Sequence, residues 1–174
     1  MKKNQGLVQV YTGNGKGKTT AAFGAALRMI GCGQRVGIVQ FFKAPARESA
    51  CRAFRKFGNK VRVWSFGGGF TWQAARETNA KAVAAAWAQC KKLLRDPRYP
   101  LVIFDEIHIA LKYKFLETSE IVNVLKKRRA AKHVILTGRG APAALLKVAD
   151  LVTEMKCVRH PFREGVPARR GIEF

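Results

Sequence analysis

The chain has 174 residues, 48% of them hydrophobic and 25% charged, enough to bury a core and ordinary for a globular protein, so disordered, collagen-like and mucin-like classes are excluded. Lysine and arginine total 33 against 11 acids, a formal net charge of +22. Such a field attracts anions at long range, whether nucleic acid, nucleotide, acidic protein or anionic membrane, and it is silent on fold.

Cys32, Cys51, Cys90 and Cys157 stand far apart with no CxxC pair, which argues against a zinc site or a disulfide scaffold and for a reduced, cytoplasmic setting. The first apolar patch is broken by Gln9 and falls short of a signal-peptide core, and no apolar run reaches the ~18 to 20 residues of a membrane span. The expectation is one soluble domain over 1–174 with an irregular tail from about residue 157.

In chain order, short Val-, Ile- and Phe-rich runs alternate with longer Ala-, Leu- and Lys-rich stretches at helical spacing. The pattern predicts a strand at Leu7–Tyr11, a helix at Lys18–Ile30 closed by Gly31 and Gly33, and a strand at Val36–Phe42. A helix at Arg47–Phe57, a strand at Val61–Ser65 and a helix at Ala74–Leu94 stopped by Asp96-Pro97 follow. The remainder reads as a strand at Leu101–Phe104, a helix at Ser119–Ala130 capped by Thr118 or Ser119, a strand at His133–Thr137, a helix at Pro142–Val148 and a strand at Leu151–Met155. Unbroken VIF and VIL runs belong to strands buried on both faces, as in a parallel sheet with helices on both sides. In such a fold the carboxyl ends of the strands carry the site.

The strongest motif is TGNGKGKTT, Thr12 to Thr20, between a strand and a helix. It reads as a P-loop. Gly13, Gly15 and Gly17 let backbone N–H groups wrap a polyphosphate, with Asn14 and Lys16 between them, and the helix from Lys18 adds its positive end. Lys18 is placed for terminal phosphate oxygens and Thr19 or Thr20 for Mg²⁺. Strict spacing would put glycine where Thr12 stands, and Lys16 is an extra cation, so the loop is a variant. The fold class is therefore α/β, a mostly parallel sheet with helices on both faces, as in a RecA-like three-layer P-loop NTPase domain.

LVIFDEIH, Leu101 to His108, is a buried strand ending in two acids. Asp105 reads as the carboxylate that reaches Mg²⁺. For Glu106 two readings stand: positioning a water or the ribose, or pairing with a nearby cation. His108 reads as a packed or solvent-facing residue before a substrate group. In GGGFTW, Gly67 to Trp72, glycines beside aromatics allow Phe70 and Trp72 to stack on a flat ligand or to close the core. His133 and His160 have no ligand partners at metal spacing.

Residues 1–47 hold eight Lys or Arg and no acid, and residues 121–149 hold seven and no acid, including KKRRAAK at 126–132. They read as solvated faces or as a docking surface for a polyanion or an acidic protein.

GNGKGKTTAAFG, VQFFK followed by Glu48, GFTW, the strand closing in DE, ALKY, TGRGAP, ADLVTEM, RHPF and GIEF, in this order, resemble the P-loop type of ATP:corrinoid adenosyltransferases, which act on cob(I)alamin and cob(I)yrinic acid diamide. The resemblance runs nearly end to end. After Trp72 the family usually carries a Gln, an Asn or Asp and a further Asp, whereas this chain reads QAARETNA, with Ala75, Arg76 and Ala80. His108 stands where Asn or Thr is common, and Arg169 replaces a usual Gln. The resemblance implies that cobalt(I) attacks the 5′ carbon of ATP and expels triphosphate, with Lys18, Asp105 and Glu106 in catalysis, Thr19 and Asp105 on Mg²⁺, and Phe70 and Trp72 against the corrinoid. It also implies a reduced flavoprotein such as flavodoxin as electron donor, with Lys126, Lys127, Arg128 and Arg129 as candidate docking cations, and a homodimer.

A rival reading takes FDEIH as the DExH box of a nucleic-acid-dependent ATPase, for which +22 suits an RNA or DNA partner. Against it, 174 residues leave no room for the second lobe of a helicase. A small P-loop kinase is a third reading, without a recognisable Arg-rich lid.

Overall fold

A computed structural model of the protein describes residues 5–43, 49–67 and 76–172. Six strands form one sheet: β1 (Val8–Thr12), β2 (Val36–Phe41), β3 (Val61–Phe66), β4 (Leu101–Asp105), β5 (His133–Thr137) and β6 (Leu151–Glu154). Their order is β3-β2-β4-β5-β1-β6, and every neighbouring pair is parallel. The α/β class read from the sequence is the observed one, and the architecture is consistent with a P-loop NTPase-like domain.

Alternating side chains of the central strands enter two separate cores. Ile38, Leu101, Ile103 and Ile135 meet Ala22, Phe23, Ala26 and Ile30 of helix α1 (Lys18–Gly31) and Phe54 of α2 (Ser49–Phe54) on one face. Val39, Phe41, Val102, Phe104, Val134 and Leu136 meet α3 (Arg76–Arg95), α4 (Ile107–Lys112), α5 (Thr118–Lys126) and α6 (Ala143–Leu146) on the other. This is why β2 and β4 carry apolar side chains without alternation up to their carboxyl ends, where Gln40 and Asp105 stand.

Helical extents and caps differ from the periodicity in several places. The expected Arg47–Phe57 helix is α2 followed by a 3-10 helix at Arg55–Lys60, because Gly58 takes φ 55 and breaks the α ladder. The helix expected to reach Ala130 ends at Lys126, where the guanidinium of Arg128 folds back to donate to the carbonyls of Leu125 (2.9 Å), Lys132 (3.1 Å) and Gly6 (2.6 Å). Neither Thr118 nor Ser119 caps that helix; Glu117 holds the N-cap position without a side-chain bond. Helix α4 was not anticipated, since its six residues are too few for a period to show.

The edge strand β6 is exposed throughout. Beyond it the tail is irregular except for a 3-10 helix at Pro161–Glu164, where His160 Nδ1 accepts from Phe162 N at 3.1 Å. No helix among the described residues is long and apolar enough to cross a membrane.

Candidate functional site

With all strands parallel, the loops after β1, β2, β4 and β5 open on one edge of the sheet. The glycine loop leaves β1 and enters α1 through Gly13 at φ 95 and Gly17 at φ 104, conformations open to glycine. Gly15 serves close approach instead. Its N–H donates to Met155 O at 2.7 Å, and a Cβ there would stand 2.7 Å from that oxygen and 2.8 Å from Lys156 backbone atoms. Asn14 Oδ1 accepts from Cys157 N at 3.1 Å. The segment following β6 thus braces the loop from outside. Between it and the loop after β5 lies a cleft of about 740 Å³, walled by Thr12, Asn14, Arg139, Glu154 and Lys156.

Lys18 is buried, and its ammonium donates to Gly13 O at 2.9 Å and Gly15 O at 2.6 Å. Burial pulls its pKa down, Glu106 and Asp105 pull it up, and Arg139 lowers it further; the net is below the usual lysine value. The ammonium is thus held inside the loop by carbonyl oxygens, on a long stem able to turn toward an anion.

Asp105 ends β4 and is wholly buried. Its Oδ1 accepts from Thr19 Oγ1 at 2.8 Å and Thr137 Oγ1 at 2.7 Å, and its Oδ2 from Lys43 Nζ at 2.8 Å and Gln40 Nε2 at 3.2 Å. Burial pushes the carboxyl up, but the Lys43 charge and the bonds from Lys43, Thr137 and Thr19 outweigh it and hold it below the usual range. Glu106 follows at φ 63, its N–H on Thr137 Oγ1 at 3.0 Å. Burial first, and then the Asp105 charge, raise the Glu106 carboxyl.

Mg²⁺ takes hard oxygen ligands in a compact shell. Thr19 Oγ1 and the Asp105 carboxylate are such oxygens, in contact beside the loop, with Lys43 as the counter-cation of the carboxylate. The donor set fits Mg²⁺. Between the two threonines considered from sequence, Thr19 is the one on Asp105, whereas Thr20 is exposed. Lys16 is also exposed, at the crest of the loop.

His108 is fully buried, with Nδ1 2.9 Å from Gly138 O, a packing role rather than a solvent-facing one. Sequence reasoning passed over Lys43, Gln40, Thr137 and Arg139 as site residues. The strings VQFFK and TGRGAP contain all four, but no local period distinguishes a strand-end Lys or Thr from any other. Phe70 and Trp72 lie outside the described residues.

The profile of the family described as ATP:corrinoid adenosyltransferase BtuR/CobO/CobP matches residues 4–174. The chain belongs to this family. A corrinoid adenosyltransferase of Pseudomonas aeruginosa is 42% identical over 171 residues, covering 98% of this chain and 84% of that protein. One from a Sinorhizobium species is 43% identical over 173 residues, covering 98% and 81% respectively. The corrinoid adenosyltransferase CobA of Salmonella typhimurium is 39% identical over 173 residues, covering 99% and 87%. The chain is thus an enzyme of the corrinoid adenosyltransferase family, whose substrates are ATP and a corrinoid.

The packing also places the basic run that the sequence offers as docking cations. Gly6 N donates to Ala130 O, and the Lys132 ammonium donates to Asp96 O and Tyr99 O just before β4. Lys126 to Arg129 therefore sit at the amino-terminal edge of the sheet, a strand length of roughly 16 Å from the glycine loop. Arg128 and Lys132 are moreover tied to backbone carbonyls, so neither is a spare surface charge.

Proposed function

We propose that this adenosyltransferase moves the 5′-deoxyadenosyl group of ATP to cobalt(I) of cob(I)alamin or a close corrinoid and releases triphosphate intact. The electron pair of cobalt(I) forms the Co–C5′ bond, and the C5′–O bond breaks with its electrons leaving on the triphosphate. No protein nucleophile is needed. The observation that supports this reading is the single hydrogen-bonded unit of glycine loop, Thr19 and Asp105, with Lys18 folded into the loop and Lys43 on the carboxylate.

In this reading the N–H groups of Gly13 to Thr20, with Lys16 and Lys18, meet the charge that gathers on the leaving triphosphate, where fixed donors lower the barrier most. Thr19 and Asp105 hold Mg²⁺, which when bound shares the charge of the phosphate oxygens. Glu106, whose carboxyl burial and the Asp105 charge push upward, faces the ribose side as a hydrogen-bonding group. Phe70 and Trp72 lie against the corrinoid and exclude its lower axial ligand. A reduced flavoprotein such as flavodoxin supplies the electron, the enzyme works as a homodimer in the cytoplasm, and residues 1–174 form one domain.

The nucleic-acid-dependent ATPase reading is set aside because the family match over residues 4–174 and the relatives above are corrinoid adenosyltransferases. The deciding experiment incubates the protein with ATP, Mg²⁺ and chemically reduced cob(I)alamin. A light-sensitive Co–C product together with tripolyphosphate in the phosphorus NMR spectrum is expected; ADP and phosphate instead would overturn the reading.

A further inference from the structure

Lys43 reaches Asp105 through a strained turn. The preceding Phe42 holds φ 58, a left-handed conformation that bulky residues avoid and that persists only where surrounding structure imposes it. The imposition is visible. Phe42 is buried, its ring centroid 6.1 Å from that of Phe115, and Gly67 lies so close to it that a Cβ on Gly67 would come within 2.8 Å of Phe42 Cα. Arg76 also packs on Phe115, with its guanidinium 5.2 Å from the ring centroid. The chain is thus turned at the end of β2 so that Lys43 Nζ stands 2.8 Å from Asp105 Oδ2.

The Asp105 carboxylate already accepts from four groups, about as many as its lone pairs allow. A metal ion that binds it must displace one of them. Thr19, Thr137 and Gln40 are neutral and short, whereas Lys43 carries a full charge on a flexible stem and is 29% exposed at the side chain. A second cation on the same oxygen repels that ammonium. The anion that arrives with the metal is the polyphosphate, and it attracts what the metal has expelled.

We propose that Lys43 is the resident counter-cation of Asp105, which yields the carboxylate to Mg²⁺ when nucleotide binds and transfers its ammonium to the polyphosphate as a third lysine beside Lys16 and Lys18. This rests on the loop being the triphosphate site, but its test needs no corrinoid, so a wild-type protein that fails to adenosylate cobalt would overturn the transfer reading and leave the test below intact.

Two measurements decide it: the Mg²⁺ concentration giving half-maximal thermal stabilisation without nucleotide, and the affinity for tripolyphosphate at saturating Mg²⁺. In Lys43→Met the carboxylate has lost its competitor for the metal, so the Mg²⁺ midpoint should fall by about tenfold or more while tripolyphosphate binds about tenfold more weakly. In Lys43→Arg the guanidinium grips the carboxylate bidentately, so the Mg²⁺ midpoint should rise and tripolyphosphate affinity should stay within about threefold of wild type. Should Lys43→Met not fold, the rise in Lys43→Arg carries the test. A Mg²⁺ midpoint that stays at the wild-type value in the folded variants, or tripolyphosphate affinity unaffected by loss of the Lys43 charge, overturns the proposal.

Discussion

His108 Nδ1 lies 2.9 Å from the carbonyl oxygen of Gly138, and the ring is fully buried between α4 and the loop that follows β5. A carbonyl only accepts, so Nδ1 carries the proton and Nε2 is left with a buried lone pair that meets no partner among the described residues. Gly138 stands at φ 139, and a Cβ on it would press to 2.8 Å of His108 Cβ. The two residues fit each other and lock this loop to α4.

The neutral ring has a pH signature. Burial, the leading cause, lowers the His108 pKa to about 4, against the favourable Gly138 bond and with help from Lys18. Between about pH 6.5 and 4 the unfolded chain takes up a proton that the folded chain refuses, so stability falls as pH falls through this window. Relative to His108→Asn, which does not titrate, wild type should lose about 3 kcal/mol from pH 6.5 to 4. Urea unfolding of both proteins across that range checks this, and parallel curves would place a compensating charge beside the ring.

Lys18→Ala should cost on the order of 3 kcal/mol or more in kcat/KM for adenosyl transfer. The structure adds a second effect. The ammonium bridges Gly13 O and Gly15 O, so its loss also frees the loop, and amide exchange from Gly13 to Gly17 should speed up even without nucleotide. Normal turnover with faster loop exchange would remove Lys18 from the chemistry and leave it a structural role.

Among the cations of the 126–132 run, Arg128 alone makes three bonds to carbonyls, on Leu125, Lys132 and Gly6. Arg128→Ala should lower stability by about 2 kcal/mol. Reversal of the exposed Lys126, Lys127 and Arg129 should leave both the fold and transfer with a chemical reductant unchanged, because these residues stand at the sheet edge remote from the loop. The same triple variant should also keep its flavodoxin-driven rate, measured at low salt. A steep loss in that assay alone would restore this edge as the docking face.

Replacement of Phe70 or Trp72 by Ala should slow transfer while leaving ATP affinity within about threefold, as fits residues on the corrinoid side. Equilibrium ATP binding beside steady-state turnover separates the two quantities. Loss of ATP binding would move these aromatics to the core or the adenine.

What the chain alone determined is local and repetitive. Val, Ile and Phe runs between helical stretches specify a parallel sheet, and a glycine-rich turn between strand and helix reads as a phosphate loop, because each depends on neighbours within a few residues. Thr19 and Asp105 both read as Mg²⁺ residues before any coordinates, since a helix start and a strand end on the carboxyl side of one parallel sheet share that edge. Lys43 does not. Its distance from Asp105 in sequence is 62 residues, and it arrives there only through the left-handed turn at Phe42, which Phe115 and Gly67 impose from other elements. The same holds for the basic run: composition counts Lys126 to Lys132 as alike, but only the packing of β1, β4 and β5 decides that Arg128 and Lys132 are bound to carbonyls and that all of them lie at the edge away from the site. Charge and period are properties of a segment, whereas the partner of a charge is fixed by which segments the sheet brings together.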